Sequence, residues 1–520
     1  MQTLHSPMQA AAWLHQHVSG NLCTDSRAVT QGDGFIAWPG AASDGRAFVD
    51  AALSQGASAC LVEAQGSEPW LKNWRSKGDS SLEGVAAYSG LKADTGWIAD
   101  AYYEQPSKAL KVMAVTGTNG KTSITWWLSQ ALNALQPSNP AKPIRCALVG
   151  TLGVGEPPHL TYTGMTTPDP VLLQSRFRKF VDEGVTHCAI EASSIGLTEQ
   201  RLAGTHIELA VLTNFTQDHL DYHGSMAAYW EAKASLFAWP QLKAAVINLD
   251  DEKGAELAAN LKMQVTQGLD LWTCSSQNKP ARLQASALHR SISGLSFDVI
   301  EGQAKCSVQT SLIGDYNVDN LLAVIASLRA LGVSLKDATQ VCSTLQAVPG
   351  RMEKVLASPA EKLPLTLVDY AHTPDAITQT LLTLKPFAQA MGSKLWCVLG
   401  CGGDRDASKR PLMAAAAQAL ADRVVITSDN PRNEMPQRIA QDMLQGLKAP
   451  HAAYLELDRA KAIAHAVATA GVQDIILIAG KGHEVTQEIA GVKYPFDDRL
   501  HAQEALHQRA IGGLNAGFMA

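Results

Sequence analysis

The chain has 520 residues, room for about three domains of ordinary size, and 46% of it is apolar, enough to bury sizeable cores. A formal net charge of −6 and the lack of any Lys/Arg-rich run argue against a polyanion-binding surface, so no nucleic-acid partner is expected. No apolar stretch has bilayer-spanning length, the first residues carry no leader pattern, and the nine cysteines include no Cys-x-x-Cys pair; a reduced, cytoplasmic location without disulfides or zinc is expected.

Strand-like apolar runs alternate with helix-period segments along almost the whole chain. In order they are SACLVEA, VMAVTG, HCAIEAS, LAVLTNF, AAVINLD, LTLVDYAH, LWCVLGCGG, RVVITSD and IILIAGKG. Such alternation predicts βαβ units, and so an α/β fold of parallel sheets covered by helices. Five of these runs end in polar residues, Glu191, Asn214, Asp369, Asp404 and Asp429. In open α/β sheets the C-terminal strand edge is where ligands sit. Domains are expected over residues 1–107, 108–348 and 349–520, the last restarting at PGRMEKV. SKGDSSLEG (76–84) and QPSNPAKP (136–143) are predicted surface loops.

The densest chemical signal is KVMAVTGTNGKTSITWWLSQAL, a strand, a glycine-bearing turn and a helix. Two glycines let the backbone curl so that several N–H groups converge at a helix N-terminus, a concavity that suits phosphate. Lys121 and Thr122 would add a mobile cation and a Mg²⁺-facing hydroxyl. The strict phosphate-loop pattern wants glycine where Val115 stands, and a plain strand-to-helix corner fits the same residues. Downstream, TTPDP (166–170) is a turn with two hydroxyls, and IEASSIGL (190–197) places Glu191 at a strand end. TNFTQDHLDYHGSMAAYWEAKASLF (213–237) gathers Asn214, Asp218, His219, Asp221 and His223 in one loop, then caps a helix bearing Lys233 with Ser225. GCGGDRD is no dinucleotide fingerprint, because Arg405 stands where a glycine is required.

Taken in order, TGTNGKTS, TTPDP, EASSIGL, the 213–237 loop-helix, GDYNVDNLLA (314–323), GRME (350–353), VDYAHTPDA (368–376), LGCGGDRDASKRPLM (399–413), SDNPRNE (428–434) and AGKGHE (479–484) resemble the Mur ligases, specifically their diaminopimelate-adding branch. The resemblance extends from TDSRAVTQGDGFIA (24–37) to PFDDR (495–499). It implies a small N-terminal αβ UDP-binding domain, a central P-loop ATPase-like parallel sheet and a C-terminal Rossmann-like αβ domain. It also implies ATP- and Mg²⁺-dependent addition of meso-diaminopimelate to UDP-N-acetylmuramoyl-L-alanyl-D-glutamate for peptidoglycan, through an acyl phosphate. Only small-molecule partners are implied, and a monomer is expected.

Residue by residue, the resemblance implies that Gly117, Thr118, Asn119, Gly120, Lys121 and Thr122 cradle the ATP phosphates, Lys121 addressing the transferred phosphoryl group. Thr122 and Glu191 would hold Mg²⁺. Lys233 matches a lysine that the family carbamylates with CO₂ to N6-carboxylysine. As a free amine it is expected to be an ammonium that repels Mg²⁺, whereas the carbamate can ligate or orient a second ion. His219 matches a metal ligand or its neighbour. Asn317 and Asn320 resemble a pair near adenine, and Arg351, Asp369 and His372 would reach ATP from the C-terminal domain. Thr24, Ser26 and the AASDG loop (41–45) would read the nucleotide sugar; Thr166, Thr167, Ser193 and Arg201 match positions that hold its dipeptide. The family commonly has His and Gln where this chain has Ile195 and Glu199, so those two contacts are not carried over. Arg405, Asp429, Asn430, Pro431, Arg432, Gly480 and Glu484 match the diaminopimelate pocket. Arg432 would grip the far carboxylate through two parallel hydrogen bonds, and Glu484 would meet an ammonium.

Lysine-adding relatives lack arginine at position 432, which opposes that alternative. The N-terminal TDSR module opposes a folylpolyglutamate synthetase. A P-loop kinase or an ATP-driven switch leaves the C-terminal motifs unexplained.

Overall fold

The computed structural model describes residues 1–40, 43–70, 84–135, 143–357 and 363–517, the last helix with side chains to residue 511. The predicted loops 76–84 and 136–143, except Gly84 and Pro143, and residues 41 and 42 of the AASDG loop lie outside the described residues. All nine predicted runs are parallel strands. The reason is physical: a strand buried on both faces needs a continuous apolar run, which alternating patterns cannot supply.

The first sheet has β1 (Gln2–Leu4), β2 (Leu22–Cys23), β3 (Gly34–Ala37), β4 (Ala59–Glu63) and β5 (Val85–Tyr88) in the order β1-β5-β4-β3-β2, all parallel. Helix Pro7–His17 starts where Ser6 accepts the Gln9 N–H and Pro7 presets the first turn. Its Leu14 packs with Ile36, Leu61, Leu91 and Ile98 in one core.

The central sheet takes β6 (Lys111–Thr116), β7 (Cys146–Gly150), β8 (Gly153–Glu156), β9 (His159–Thr161), β10 (His187–Glu191), β11 (Leu209–Leu212), β12 (Ala244–Asn248) and β13 (Asp270–Ser275). Its parallel strands run β13-β12-β11-β6-β10-β7, with strand Leu283–Ser291 pairing parallel to β13 beyond them, and β8 and β9 add an antiparallel edge that the sequence did not reveal. The chain leaves β6 towards β7 and β10 on one side and later crosses to β11 on the other. The end of β6 is thus a switch point, the crevice where α/β sheets bind ligands. Leu283–Ser291, Gly294–Glu301 and Ala304–Thr310 are β14, β15 and β16, also unanticipated.

The last sheet comprises β17 (Glu353–Lys354), β18 (Leu365–Asp369), β19 (Leu395–Leu399), β20 (Arg423–Ile426), β21 (Tyr454–Leu455) and β22 (Ile475–Ala479), ordered β17-β18-β22-β19-β20-β21. Only β17 is antiparallel. A hairpin, β23 (Thr486–Ile489) with β24 (Val492–Pro495), follows. Because β18, β22, β19 and β20 all run parallel, the loops after these four central strands open on one edge.

Two compact units result: Met1–Ser286 with Asp298–Cys306 and Asp319–Cys342, and Ala287–Phe297 with Ser307–Val318 and Ser343–Ala520. Among the described residues no helix is long and apolar enough to cross a membrane.

Within the first unit, helix Leu91–Tyr102 packs tightly on the segment after Arg201. A Cβ on Gly96 would stand 2.3 Å from the Ala203 carbonyl oxygen, and one on Gly204 2.8 Å from Asp100 Cβ. Asp100 is 4% exposed, and its Oδ1 has no hydrogen-bond partner among the described residues. Burial pushes its carboxyl up to about 6, against the pull of Lys108. A folded-state pKa raised above the unfolded value of 3.8 means that the folded form holds the proton more tightly, so stability declines as pH rises from about 4 to about 6. In an Asp100→Asn protein that decline is absent. Thermal melts should show the stability difference moving in the variant's favour by on the order of 2 kcal/mol between about pH 4 and about pH 7.5; a pH-independent difference would refute this.

Candidate active site

The loop after β6 is held in shape by the end of β11. Gly117 has φ +140° and Gly120 +88°, angles that side chains rarely adopt. A Cβ on Gly117 would stand 1.8 Å from Thr213 Oγ1, and one on Gly120 2.5 Å from Asn320 Oδ1. Thr118 N–H donates to the Asn214 carbonyl at 2.9 Å, and Asn119 N–H to Asn214 Oδ1 at 2.9 Å. Thr213 Oγ1 donates to the Asn119 carbonyl at 2.6 Å. Helix Lys121–Ala134 then begins, and Lys121 Nζ lies across the mouth of the loop, 2.9 Å from the Gly117 oxygen and 2.8 Å from that of Thr118.

Beside it, Glu191 closes β10 with 1% exposure. Its Oε2 accepts from Thr122 Oγ1 at 3.0 Å and Thr151 Oγ1 at 3.3 Å, and its Oε1 from Thr151 N–H at 2.8 Å. A Cβ on Gly150 would stand 2.3 Å from Oε1, so the glycine makes room for the carboxylate. Thr151 Oγ1 also meets Thr166 Oγ1 at 3.0 Å. Thr167 Oγ1 donates to the Glu191 carbonyl at 2.7 Å and lies 2.9 Å from Ser193 Oγ, while Arg201 Nη1 donates to the Thr167 carbonyl at 2.9 Å. Thr122, Glu191, Thr166, Thr167, Ser193 and Arg201, scattered over 80 positions in the chain, therefore form one network. Thr24 joins it through Asp169, the cap of helix Pro170–Asp182: burial raises the Asp169 carboxyl, and the Thr24 hydroxyl bond opposes this. Ser26 opens the short helical turn that Asp25 caps.

Ser225 caps helix Met226–Ala234 by accepting the Ala228 N–H. The helix buries Lys233 to 1% exposure. Lys233 Nζ donates to the Gly117 carbonyl at 2.7 Å and lies 4.3 Å from the Tyr229 ring centroid. Burial pushes its pKa down to about 6, nearby Lys121 adds repulsion, and Asp218 opposes both. The expected ammonium is thus corrected: at neutral pH this amine is mostly uncharged. Tyr229 OH meets Thr118 Oγ1 at 3.2 Å, so its ring joins Lys233 to the phosphate loop. His219 is half-exposed with φ +51°, its ring 6.2 Å from that of Tyr229 and its Nε2 3.5 Å from Asp218 Oδ2. Glu199 pairs with Lys92 at 2.6 Å and accepts from Tyr222 OH. Among the described residues no three His, Cys, Asp or Glu side chains converge as a ready cage. Thr122 and Glu191 do supply oxygen donors at a helix N-terminus, a set that suits Mg²⁺, which keeps waters and takes its remaining ligands from phosphates.

On helix Tyr316–Ala330 both Asn317 and Asn320 are buried, and Asn317 Nδ2 donates to the Ile313 carbonyl at 2.8 Å. In the second unit the Asp369 carboxylate accepts Met352 and Ala371 N–H groups, both at 2.8 Å, and burial raises its pKa while Arg351 opposes. Arg351 lies 4.6 Å from the Tyr370 ring, and His372 Nδ1 is 2.8 Å from the Tyr370 carbonyl.

The loops after β19, β20 and β22 bring together most of the predicted amino-acid pocket. Gly403 N–H donates to the Asn430 carbonyl at 2.9 Å, and Arg432 Nη1 to the Gly403 carbonyl at 2.7 Å. Arg432 is in the left-handed region, φ +49°, and two backbone bonds to the hairpin fix it there: its N–H to Glu488 at 3.0 Å, and Ala490 N–H to its carbonyl at 2.7 Å. A Cβ on Gly480 would be 2.5 Å from Asp429 Oδ2. Pro431 turns the loop, its carbonyl accepting Glu434 N–H. Asn430 Nδ2 donates to Glu484 Oε2 at 2.7 Å. Arg405 is exposed on the loop beyond Gly402.

Three family models match the chain: "Mur ligase family, catalytic domain" over residues 20–85, "Mur ligase middle domain" over 115–328 and "Mur ligase, glutamate ligase domain" over 350–482. A protein of Acidovorax sp. (strain JS42), named UDP-N-acetylmuramoyl-L-alanyl-D-glutamate--2,6-diaminopimelate ligase, is 55% identical over 98% of this chain and 99% of its own. A Pseudomonas aeruginosa protein of the same name is 42% identical over 93% and 94%. The chain belongs to the Mur ligase family. A solved structure bearing that name is 36% identical, with a TM-score of 0.64 over 94% of both chains. MurF ligase from Thermotoga maritima in complex with ADP, at 17% identity and TM-score 0.62 over 96% and 99%, shows the shared fold.

Sequence reading missed Thr151, Thr213, Tyr229 and Lys481. Thr213 is the most legible of them, since it ends a predicted strand beside the loop. Adding one methyl at Gly117 tests the glycine loop after β6 directly. Gly117→Ala should displace Thr213, cost about 2 kcal/mol or more locally, and cut ATP-dependent turnover at least about a hundredfold in steady-state assays; near-normal turnover would show that the loop tolerates a side chain.

Proposed function

We propose that this Mur ligase joins meso-diaminopimelate to UDP-N-acetylmuramoyl-L-alanyl-D-glutamate at the expense of ATP. The observation that carries the reading is the assembly of Asn430, Arg432 and Glu484 on one sheet edge. A guanidinium, an amide and a carboxylate fit the amino-acid end that distinguishes diaminopimelate from lysine. Arg432 already has Glu488 Oε2 at 3.6 Å and the Gly403 carbonyl, so a lysine that brings no second carboxylate forgoes an added charge-assisted pair, worth on the order of 1–3 kcal/mol.

A carboxylate does not condense with an amine in water. In the proposed reaction the D-glutamate carboxylate attacks the γ-phosphorus of ATP and ADP leaves. The amine nitrogen then attacks the acyl carbon, loses a proton, and inorganic phosphate departs with its bonding pair. The protein aligns the reactants, spreads charge and excludes water. In this reading Gly117, Thr118, Asn119, Gly120 and Lys121 hold the phosphates, with Asn317, Asn320, Arg351, Asp369 and His372 as further ATP contacts. Thr24, Ser26, Thr166, Thr167, Ser193 and Arg201 hold the sugar-peptide. Asp429, Pro431, Gly480 and Arg405 complete the amino-acid loops. Thr122, Glu191 and His219 would hold Mg²⁺, which supplies charge neutralisation on the phosphates.

Lys233 is suited to carbamylation because a buried, mostly neutral amine has a lone pair for CO₂. The nitrogen attacks the carbon, an N–C bond forms and a proton leaves, turning a would-be cation into an anion. Lys233→Ala should lower kcat at least about a hundredfold, with partial recovery on adding short carboxylic acids; undiminished turnover would remove the carbamate from this account. The central experiment follows phosphate release from purified protein with ATP and UDP-muramoyl-dipeptide. Release should need diaminopimelate and be at least about tenfold poorer with lysine. Release independent of any amino acid, or preference for lysine, would overturn the reading.

A further inference from the structure

Lys481 is 0% exposed, as buried as any lysine among the described residues. Its ammonium spends all three hydrogens within the protein: on Asn430 Oδ1 at 3.0 Å, Glu484 Oε2 at 3.0 Å and the Thr486 carbonyl at 2.7 Å. It has no donor left for a substrate. Two of its three partners are the residues that the proposed function assigns to the amino-acid pocket.

We propose that Lys481 is a positioning residue that sets the chemical polarity of this pocket, an inference that rests on the diaminopimelate reading. The amide of Asn430 could lie in either of two orientations. Lys481 Nζ and the Glu488 N–H, at 3.0 Å, both donate to one of its terminal atoms, which must therefore be the oxygen. The amide nitrogen is thereby turned outward. One of its hydrogens goes to Glu484 Oε2 at 2.7 Å, so the other is what the amide has to offer an incoming carboxylate.

Glu484 is set by the same cation. Its Oε2 accepts from both Lys481 and Asn430, which leaves Oε1 to accept from a substrate ammonium. One lysine thus assigns the donor to one side of the pocket and the acceptor to the other, matching a zwitterionic amino-acid end. A simple lysine substrate presents only an ammonium there and brings no carboxylate to the donor side.

Lys481→Met keeps most of the volume and removes the charge. The variant should raise the KM for diaminopimelate about tenfold to a hundredfold, the loss of one or two charge-assisted bonds, while the KM values for ATP and the sugar-peptide hold. The preference for diaminopimelate over lysine should shrink with it, and Lys481→Gln, which keeps a donor, should recover part of the difference. An unchanged diaminopimelate KM in Lys481→Met overturns the proposal. So does an equal loss towards all three substrates, or failure of both variants to fold, since either assigns Lys481 to the scaffold alone. If the unaltered protein releases no phosphate with diaminopimelate, the function itself fails and this role falls with it; a failure confined to the variants leaves the function standing.

Discussion

A single carboxylate holds the first unit's site together. Glu191 ends the strand beside the phosphate loop, and its two oxygens accept from the first turn of the following helix and from both the backbone and hydroxyl of Thr151. Buried carboxylates are costly unless every lone pair is used, so these donors and the acid depend on one another. Gly150 must lack a side chain for the carboxylate to fit. From Thr151 the network continues to Thr166, and from the Glu191 backbone to Thr167, Ser193 and Arg201. The strand end that carries Glu191 and the Thr166–Thr167 turn are thereby locked into a common register.

The second unit reaches rigidity by buried cations instead. Arg459 and Asp498 are both 0% exposed, and Arg459 also donates to the Ser428 and Ala479 carbonyls. It therefore ties the ends of β20 and β22, from which the Asp429 and Gly480 loops spring. Arg410 bridges Glu434 and Asp442 at 2.7 and 2.9 Å. Such pairs contribute little net stability but are expensive to break, a property suited to fixing loop geometry. Lys481 follows the same logic one layer nearer the pocket.

The parallel strands were legible because burial on both faces leaves a plain apolar signature, and the order of the motifs named the family outright. The grouping of Glu191 with Thr122 was legible too, since both stand at strand-edge corners. Other features had no local mark. Lys233 reads in sequence as an ordinary helical lysine; only its burial, with repulsion from Lys121, pushes its pKa down to about 6. Lys481 sits among glycines in AGKGHE, and its partners at Asn430 and Thr486 become neighbours only through the sheet order. The edge strands β8, β9 and β14 to β16 carry mixed polarity, because one face meets solvent, and so escaped notice.

The placement of β22 has a consequence for how the chain comes into being. Its neighbours β18 and β19 make no ladder with each other; each pairs with β22, register by register, from Ile475 to Ala479. During synthesis both are made well before the strand that joins them, so the middle of this sheet stays open until Ile475–Ala479 has emerged from the ribosome. Chains halted before Ile475 lack the keystone, and β18 and β19 are left without the strand they share.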